Sequence, residues 1–250
     1  MAYTMLEAAN AITIGFVLDT VAGMLGHSGL NQKPFIILTI LALAWLNYRG
    51  VLASLSFNLV ITAFAFVAIV VLFLSVQFGA SAVPLDFSAV TNEPLPYGWL
   101  GIVAALHFGL WYYLGIEGTC QAAEEVRSPA RSLPFGTMAG IMTLVIAATL
   151  TWYVCSGLIP WEYLGQAGTP LFDAARVTGN SALMVLLFIG TVFATTASAN
   201  GCINDASRAW FSMGRDHYLP EWFGAVHPRY RTPYRSIVFL VPIALIFALG

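Results

Sequence analysis

The chain carries very few charged residues for its length. Only 9% of its 250 residues are Asp, Glu, Lys or Arg, while 59% are hydrophobic. A soluble domain has about 25% charged residues, so a chain with this composition cannot cover itself with a surface suited to water. The composition excludes an ordinary soluble domain and predicts an integral membrane protein that has the lipid bilayer as its main solvent.

Other features are scarce too, and each scarcity argues against a class of protein. The net charge is only −2, which argues against a nucleic-acid partner. The three cysteines all lie in apolar stretches, which argues against a protein held together by disulfide bonds. The sequence contains no metal-ligand spacing, no nucleotide-binding glycine loop, no pair of catalytic acids and no hydrolase nucleophile motif. We therefore expect neither an enzyme nor a bound cofactor or metal.

What the chain does contain is a series of long apolar stretches. A helix needs about 20 apolar residues to cross the hydrocarbon core of a bilayer. Residue 1 lies at the edge of the first such stretch and residue 250 lies inside the last. The pattern predicts one incomplete transmembrane domain over residues 1–250 with about seven helical spans, near 3–25, 34–48, 53–78, 97–126, 135–159, 181–207 and 236–250.

The distribution of basic residues predicts the orientation of these spans. Lys and Arg are enriched in the cytoplasmic loops of membrane proteins. Alternate loops hold only Lys33 and Arg176 on one side, whereas the other side holds eight arginines: Arg49, Arg127, Arg131, Arg208, Arg215, Arg229, Arg231 and Arg235. The bias predicts a multi-pass protein of the plasma membrane whose residue 1 end is cytoplasmic.

The fourth stretch, residues 97–126, contains an acid between two glycines, Glu117 between Gly115 and Gly118. Glycine weakens a helix by about 1 kcal/mol relative to Ala, and a carboxylate in hydrocarbon costs several kcal/mol. An unwound segment that faces a polar cavity would satisfy both constraints, with Thr119 capping the helix that follows. In the alternative interpretation the glycines allow close helix packing and Glu117 bonds to a neighbouring helix.

Trp111 lies six residues before this acid. Its indole ring could close over a ligand and supply a cation–π face for an ammonium group. A tryptophan alone in such a position is more often an ordinary packing aromatic.

Two segments of the sequence resemble a known family. Residues 110–134, LWYYLGIEGTCQAAEEVRSPARSLP, resemble the sixth-helix signature of amino acid–polyamine–organocation permeases, especially the ethanolamine and amino-acid permease branches. Residues 200–233, NGCINDASRAWFSMGRDHYLPEWFGAVHPRYRTP, resemble the eighth helix of the family and the cytoplasmic loop after it. The likeness covers nearly the whole chain, which would correspond to the third through ninth helices.

The resemblance implies a leucine-transporter-like fold of two inverted five-helix repeats. Substrate would bind where the first and sixth helices unwind. The sequence has the sixth-helix element, but nothing in it matches the glycine-rich first helix, the second helix or the tenth.

The resemblance also implies substrate-contacting positions. By motif, Trp111, Ile116 and Glu117 match family positions that contact or gate the substrate, within a predicted site that also includes Gly115, Gly118 and Thr119. Asn10 and Thr13 match pocket-facing positions more loosely, and bonds between helices explain them equally well. Cys202 matches a pocket-lining position, although a buried cysteine is usually just a small hydrophobe.

A second group of polar residues is predicted to form ion pairs. Glu124 and Glu125 end a span near a helix C-terminus, where negative charge is unfavourable, so we expect arginine partners. Arg127, Arg131 and Arg208 lie on the same predicted face. An inner gate or structural ion pair is favoured over a proton-coupling role for these two acids. Asp205 and Arg208 are three residues apart and are expected to pair locally.

The leading hypothesis is secondary active transport of an amino acid or small amine by alternating access. Its partners would be that small-molecule substrate, a coupling proton or exchanged substrate, and the lipid bilayer. A truncated, inactive permease fragment is one alternative. A seven-helix receptor is another, but it requires an external residue 1 end, against the arginine bias.

Overall fold

The computed structural model describes residues 1–24, 26–27, 29–79, 83–92, 95, 97–121 and 123–250. Leu25 in the first predicted span and Ala122 in the fourth lie outside the described residues. Within the described ranges the regular secondary structure is helical, with no β-strand. The predicted all-α class is therefore confirmed.

Eleven α-helices occur in the described ranges. In chain order they are α1 (Ala2–Met24), α2 (Lys33–Arg49), α3 (Val51–Gln77), α4 (Ser88–Asn92), α5 (Gly98–Tyr112), α6 (Gly118–Gln121), α7 (Pro129–Leu158), α8 (Trp161–Leu164), α9 (Pro170–Val177), α10 (Ser181–Arg215) and α11 (Tyr234–Leu249). Two short 3₁₀ helices cover Ala123–Glu125 and Glu221–Gly224.

Helices α1, α3, α7 and α10 are long and apolar enough to cross a membrane, judged by length and composition. Helices α5 and α11 are also apolar but shorter, at 15 and 16 residues. A helix lies at each of the seven predicted spans, and the fourth is divided between α5 and α6. The chain is therefore a multi-pass helical membrane protein with a discontinuous fourth element, while the number of crossings stays a prediction.

The chain divides into two compact units. The first unit consists of Met1–Ala65, Cys120–Arg127 and Phe188–Gly250, and the second consists of Phe66–Thr119 and Ser128–Leu187. Helices α3 and α10 contribute residues to both.

The first unit is built on mutual packing of α1, α2 and α11. Ala11, Ile36, Ile40 and Ala244 form a buried cluster among these helices. Lipid chains are as apolar as leucine, so helices in a membrane associate mainly through close packing and interhelical hydrogen bonds. The two alanines, at 1% and 0% exposure, allow that close approach.

A buried network of polar side chains joins three helices of the first unit. Asn47 of α2 donates from Nδ2 to Oδ1 of Asn200 in α10 at 2.7 Å. Asn200 donates from its own Nδ2 to Ser54 Oγ at 2.9 Å and to Asn58 Oδ1 at 3.1 Å, both in α3. Ser54 then donates to Asn47 Oδ1 at 3.1 Å, which closes the ring. Each buried amide has partners, so the network adds specific interhelical contacts.

The second unit has a tight contact at the end of α7. The backbone N–H of Asp86 donates to the carbonyl of Gly157 at 2.8 Å. A Cβ at position 157 would lie 2.6 Å from Cδ2 of Leu85, so only glycine fits without a shift of this segment. Tyr153 donates to Gln77 Oε1 at 2.9 Å and adds a second tie between α7 and α3. These contacts hold the segment before α4 against α7.

Candidate functional site

The predicted break in the fourth element is present. Helix α5 ends at Tyr112, residues 113–117 form consecutive turns, and α6 begins at Gly118. The turns are held by hydrogen bonds between residues three apart, including Leu114 N–H to the Trp111 carbonyl at 3.1 Å and Gly118 N–H to the Gly115 carbonyl at 3.0 Å. The helix is therefore interrupted at the glycine-flanked acid, as the sequence predicts.

Gly115 has a backbone conformation that explains its residue type. Its φ is +92°, in a region that residues with a side chain rarely adopt. No heavy atom lies within 4 Å of a Cβ added at this position. The requirement for glycine at the break comes from the backbone and not from crowding.

A cleft lies beside the break within the second unit. It has a volume of about 230 Å³. Ile116 and Thr119 line it from the break, and Gly136, Thr137 and Gly140 line it from α7. The hydroxyls of Thr119 and Thr137 are 2.8 Å apart. Two of the predicted substrate residues therefore share one cavity with α7, a helix that the sequence analysis did not assign to the site.

Thr119 makes different contacts from those expected of a cap. It is the second residue of α6, and its hydroxyl donates to the Ile116 carbonyl at 3.0 Å. A capping residue would precede the helix and accept a bond from a backbone N–H inside it. Thr119 instead ties the turn to α6 and to α7.

Glu117 and Trp111 are both exposed at the surface of the second unit, Trp111 at 66%. Gly118 is buried beside the acid. Glu117 lies in the turn that joins the two helices, and Trp111 lies in the last turn of α5. The terminal carbonyls of a helix carry partial negative charge. That the acid and these carbonyls together favour a cation at the break stays a prediction.

Asn10, Thr13 and Cys202 belong to the first unit. Asn10 donates to Ser198 Oγ at 3.0 Å, a bond between α1 and α10. Thr13 donates to the Ala9 carbonyl within its own helix at 2.9 Å, and Cys202 is buried at 5% exposure. These contacts match the alternative interpretation of Asn10 as an interhelical partner. Contact with a substrate stays a prediction for all three residues.

The first unit contains a well-formed ion pair at the predicted cytoplasmic side. Arg208 donates from Nη2 to both oxygens of Glu125, at 2.8 and 3.0 Å, and from Nε at 3.1 Å. It also donates to the carbonyl and the side-chain oxygen of Asn204. The Arg208 side chain is 8% exposed and that of Glu125 is 34% exposed. Asp205 accepts a bond from Asn204 at 3.3 Å.

The neighbouring acid, Glu124, has a partner that was not predicted from the sequence. Arg215 donates to Glu124 at 2.8 Å, with both side chains about half exposed. Within the described part of the chain, Arg127 and Arg131 form no ion pair, and both are exposed. The glutamates therefore find arginines on α10.

One buried acid was missed by the sequence analysis as a candidate functional residue. Glu7, in the second turn of α1, is 2% exposed. Among the described residues, its Oε1 and the Oγ1 of Thr4 have no hydrogen-bond partner and are buried. An ionised carboxylate in such a place costs several kcal/mol unless it is paired. An acid inside an apolar span was a signal available in the sequence, since intramembrane acids are usually functional.

The described helices define an all-α membrane protein with a broken element. The amino acid permease family model matches residues 1–250, so the chain belongs to the amino acid permease family. It is 85% identical, over its whole length, to an uncharacterized transporter of Rhizobium meliloti (strain 1021), of which it covers 54%.

Two further relatives from Bacillus subtilis (strain 168) are more distant. The chain is 27% identical to a methylthioribose transporter, with 91% of the chain and 49% of the relative covered. It is 25% identical to a branched-chain amino acid permease, with 84% of the chain and 43% of the relative covered. The chain thus spans about half the length of the curated relatives it matches.

Proposed function

We propose that this chain is part of a secondary active transporter that moves an amino acid or a small amine across the plasma membrane by alternating access. Membership in the amino acid permease family and the transporter names of the relatives support transport in place of enzymatic catalysis. The observation that carries the proposal is the interrupted helix at Glu117, with Gly115 at positive φ and a cleft beside it.

In this proposal the break is the substrate site. Glu117 and the terminal carbonyls of α5 attract the ammonium group of the substrate. Ile116 and Thr119 contact its remaining atoms, since both line the adjacent cleft. Trp111 closes over the ligand from the last turn of α5. Contact of Asn10, Thr13 and Cys202 with the substrate stays a prediction of the family resemblance.

The arginine pairs are proposed to hold the cytoplasmic end. The bias of arginines puts the residue 1 end and Glu125 inside the cell. Arg208 and Glu125 form a bidentate pair, which is geometrically specific and can open and re-form as a unit. Asp205 lies on the same helix and would tune this gate.

The substrate class follows from the charge at the break. A carboxylate such as that of Glu117 suits a compound with an ammonium group, such as an amino acid or an ethanolamine-like amine. The methylthioribose transporter and the branched-chain amino acid permease bear names of a sugar derivative and of amino acids respectively. We favour the amino acid, because the family match covers the whole chain.

The energy source is proposed to be a coupled proton or an exchanged substrate. Two acids can carry the proton: Glu117 at the break, and Glu7, which is buried with one oxygen unpartnered among the described residues. A buried carboxyl is most stable when neutral, so Glu7 is suited to holding a proton in one conformation and releasing it in another.

Counterflow of labelled amino acids into liposomes, using the full-length transporter, tests the proposal. Glu117→Gln removes the charge without changing size and is expected to lower uptake at least tenfold, with weaker substrate binding. Glu162→Gln, at an exposed glutamate of α8, is the matched control and should transport normally. Equal uptake and affinity in Glu117→Gln and the control would remove Glu117 from the site.

Glu7→Gln separates the two candidate proton carriers. If Glu7 carries the coupling proton, this variant keeps counterflow but loses uptake driven by a pH gradient. Gradient-driven uptake equal to that of the control would assign coupling elsewhere.

A further inference from the structure

A groove in the first unit combines arginines with an apolar wall. It has a volume of about 570 Å³ and lies where α2 gives way to α3. Arg49 and Arg231 line one part of it, while Val51, Leu52 and Leu55 line another. No predicted substrate residue lines this groove, so it is a separate feature from the break.

The two arginines give the groove an uncompensated positive charge. Both are exposed, and within the described ranges neither forms an ion pair with a carboxylate. The guanidinium of Arg49 lies 4.5 Å from the ring centroid of Trp45, which fixes its position and leaves its N–H groups available. Glu125 also lines the groove, but its carboxylate is bound by Arg208. The groove therefore favours an anion.

The apolar wall continues along one face of α3. Leu52, Leu55 and Leu59 follow at intervals of three and four residues, which places them on the same side of the helix. Their exposures are 84%, 42% and 72%. From Leu52 to Leu59 the helix rises about 10 Å. An apolar strip of this length leads directly away from the arginines.

We propose that this groove binds an anionic phospholipid. The phosphate lies between Arg49 and Arg231, and its oxygens accept hydrogen bonds from their N–H groups. One acyl chain lies along Leu52, Leu55 and Leu59. The charge is matched because the guanidiniums lack carboxylate partners, and arginine binds phosphate oxygens in a bidentate manner. The proposal rests on the proposed crossing of the membrane by α3, with Arg49 at the cytoplasmic surface, where anionic lipids attract basic residues.

Native mass spectrometry of the full-length transporter, released from nanodiscs, tests the proposal. The wild-type protein is expected to retain one phosphatidylglycerol and not phosphatidylcholine. The double variant Arg49→Gln and Arg231→Gln should retain at least tenfold less phosphatidylglycerol. Arg127→Gln, an exposed arginine outside the groove, is the matched control and should bind as the wild type does.

Two further arms distinguish the lipid from a free anion and from a folding defect. Inorganic phosphate at millimolar concentration should not displace the lipid, and Leu55→Gln should weaken retention of long-chain phosphatidylglycerol but not of the dihexanoyl form. The melting temperature of each variant reports its folding. Equal retention by the folded double variant, or displacement by phosphate, would overturn the proposal. Failure of transport leaves this measurement unaffected, so the two proposals fail independently.

Discussion

The two compact units contain polar side chains that are accommodated in opposite ways. In the first unit, Asn200 is 1% exposed and Arg208 is 7% exposed, and both are surrounded by hydrogen-bond partners from other elements. In the second unit, Glu117 is exposed beside a helix that has been unwound. A polar group in an apolar helix must either find hydrogen-bond partners or reach a polar surface, and the two units show one case of each. In the first unit bonds between helices hold the polar groups, whereas in the second unit the break brings Glu117 to an exposed surface.

The sharpest way to break this comparison is to remove the partner of a buried charge. Arg208→Gln is expected to lower the free energy of unfolding by about 2–3 kcal/mol, because Glu125 keeps its charge without a partner. This is less than for a fully buried pair, since Glu125 is 34% exposed. Unfolding by SDS in mixed micelles measures the change. The double variant with Glu125→Gln should recover part of the loss, and a loss below about 0.5 kcal/mol would contradict the assignment.

The asparagine network gives the next largest effect. Asn200→Ala removes the acceptor of Asn47 and a donor to Ser54 and Asn58, so we expect a loss of about 2 kcal/mol in the free energy of unfolding. Asn92→Ala, at the exposed end of α4, is the control and should change stability little. If the two variants lose equal stability, the network does not hold the first unit together.

The break of the second unit should be sensitive at the backbone. Gly115→Ala must place a side chain at a φ of +92°, so we expect destabilisation of about 1–2 kcal/mol. The control is Gly140→Ala in α7, where an added Cβ also meets no atom within 4 Å. That substitution should be neutral or slightly stabilising, because Ala favours a helix. Equal melting temperatures for both variants would count against the strained turn.

The smallest expected effect on stability comes from the exposed ion pair of the first unit, Arg215 with Glu124. Arg215→Gln breaks a pair whose side chains are 47% and 66% exposed, so the expected loss of stability is much smaller than that of Arg208→Gln. The loss should shrink further in 0.5 M salt, because exposed charges are screened. Melting curves at low and high salt check this. A loss as large as that of Arg208→Gln would show that burial does not set the strength of these pairs.

Much of the helical layout was predictable because membrane thickness constrains apolar length. The break was predictable as well, since Gly115, Glu117 and Gly118 each disfavour an apolar helix. Two helices extend beyond the spans that were predicted for them. Helix α7 begins at Pro129, before the predicted span at 135, and α10 continues to Arg215, beyond 207. Charged residues end a membrane crossing, but they do not end a helix.

The details of the site depended on tertiary packing, which the sequence does not display. The arginines near Glu125 were all plausible partners, and only the fold selects Arg208. Glu7 was not selected as a candidate, because only the packing of α1 shows that it is buried. The contribution of Gly136 and Gly140 to the cleft was likewise hidden, because two glycines on a helix face carry no signal of what lies opposite.

The open space around Gly115 has a stereochemical consequence. Since nothing lies within 4 Å of an added methyl group, the site rejects ordinary alanine through its chirality and not through its size. The mirror-image residue, D-alanine, prefers positive φ, as this turn requires. A transporter assembled by semisynthesis with D-alanine at position 115 should keep the interrupted helix, and its unfolded chain would have less freedom to lose than one with glycine.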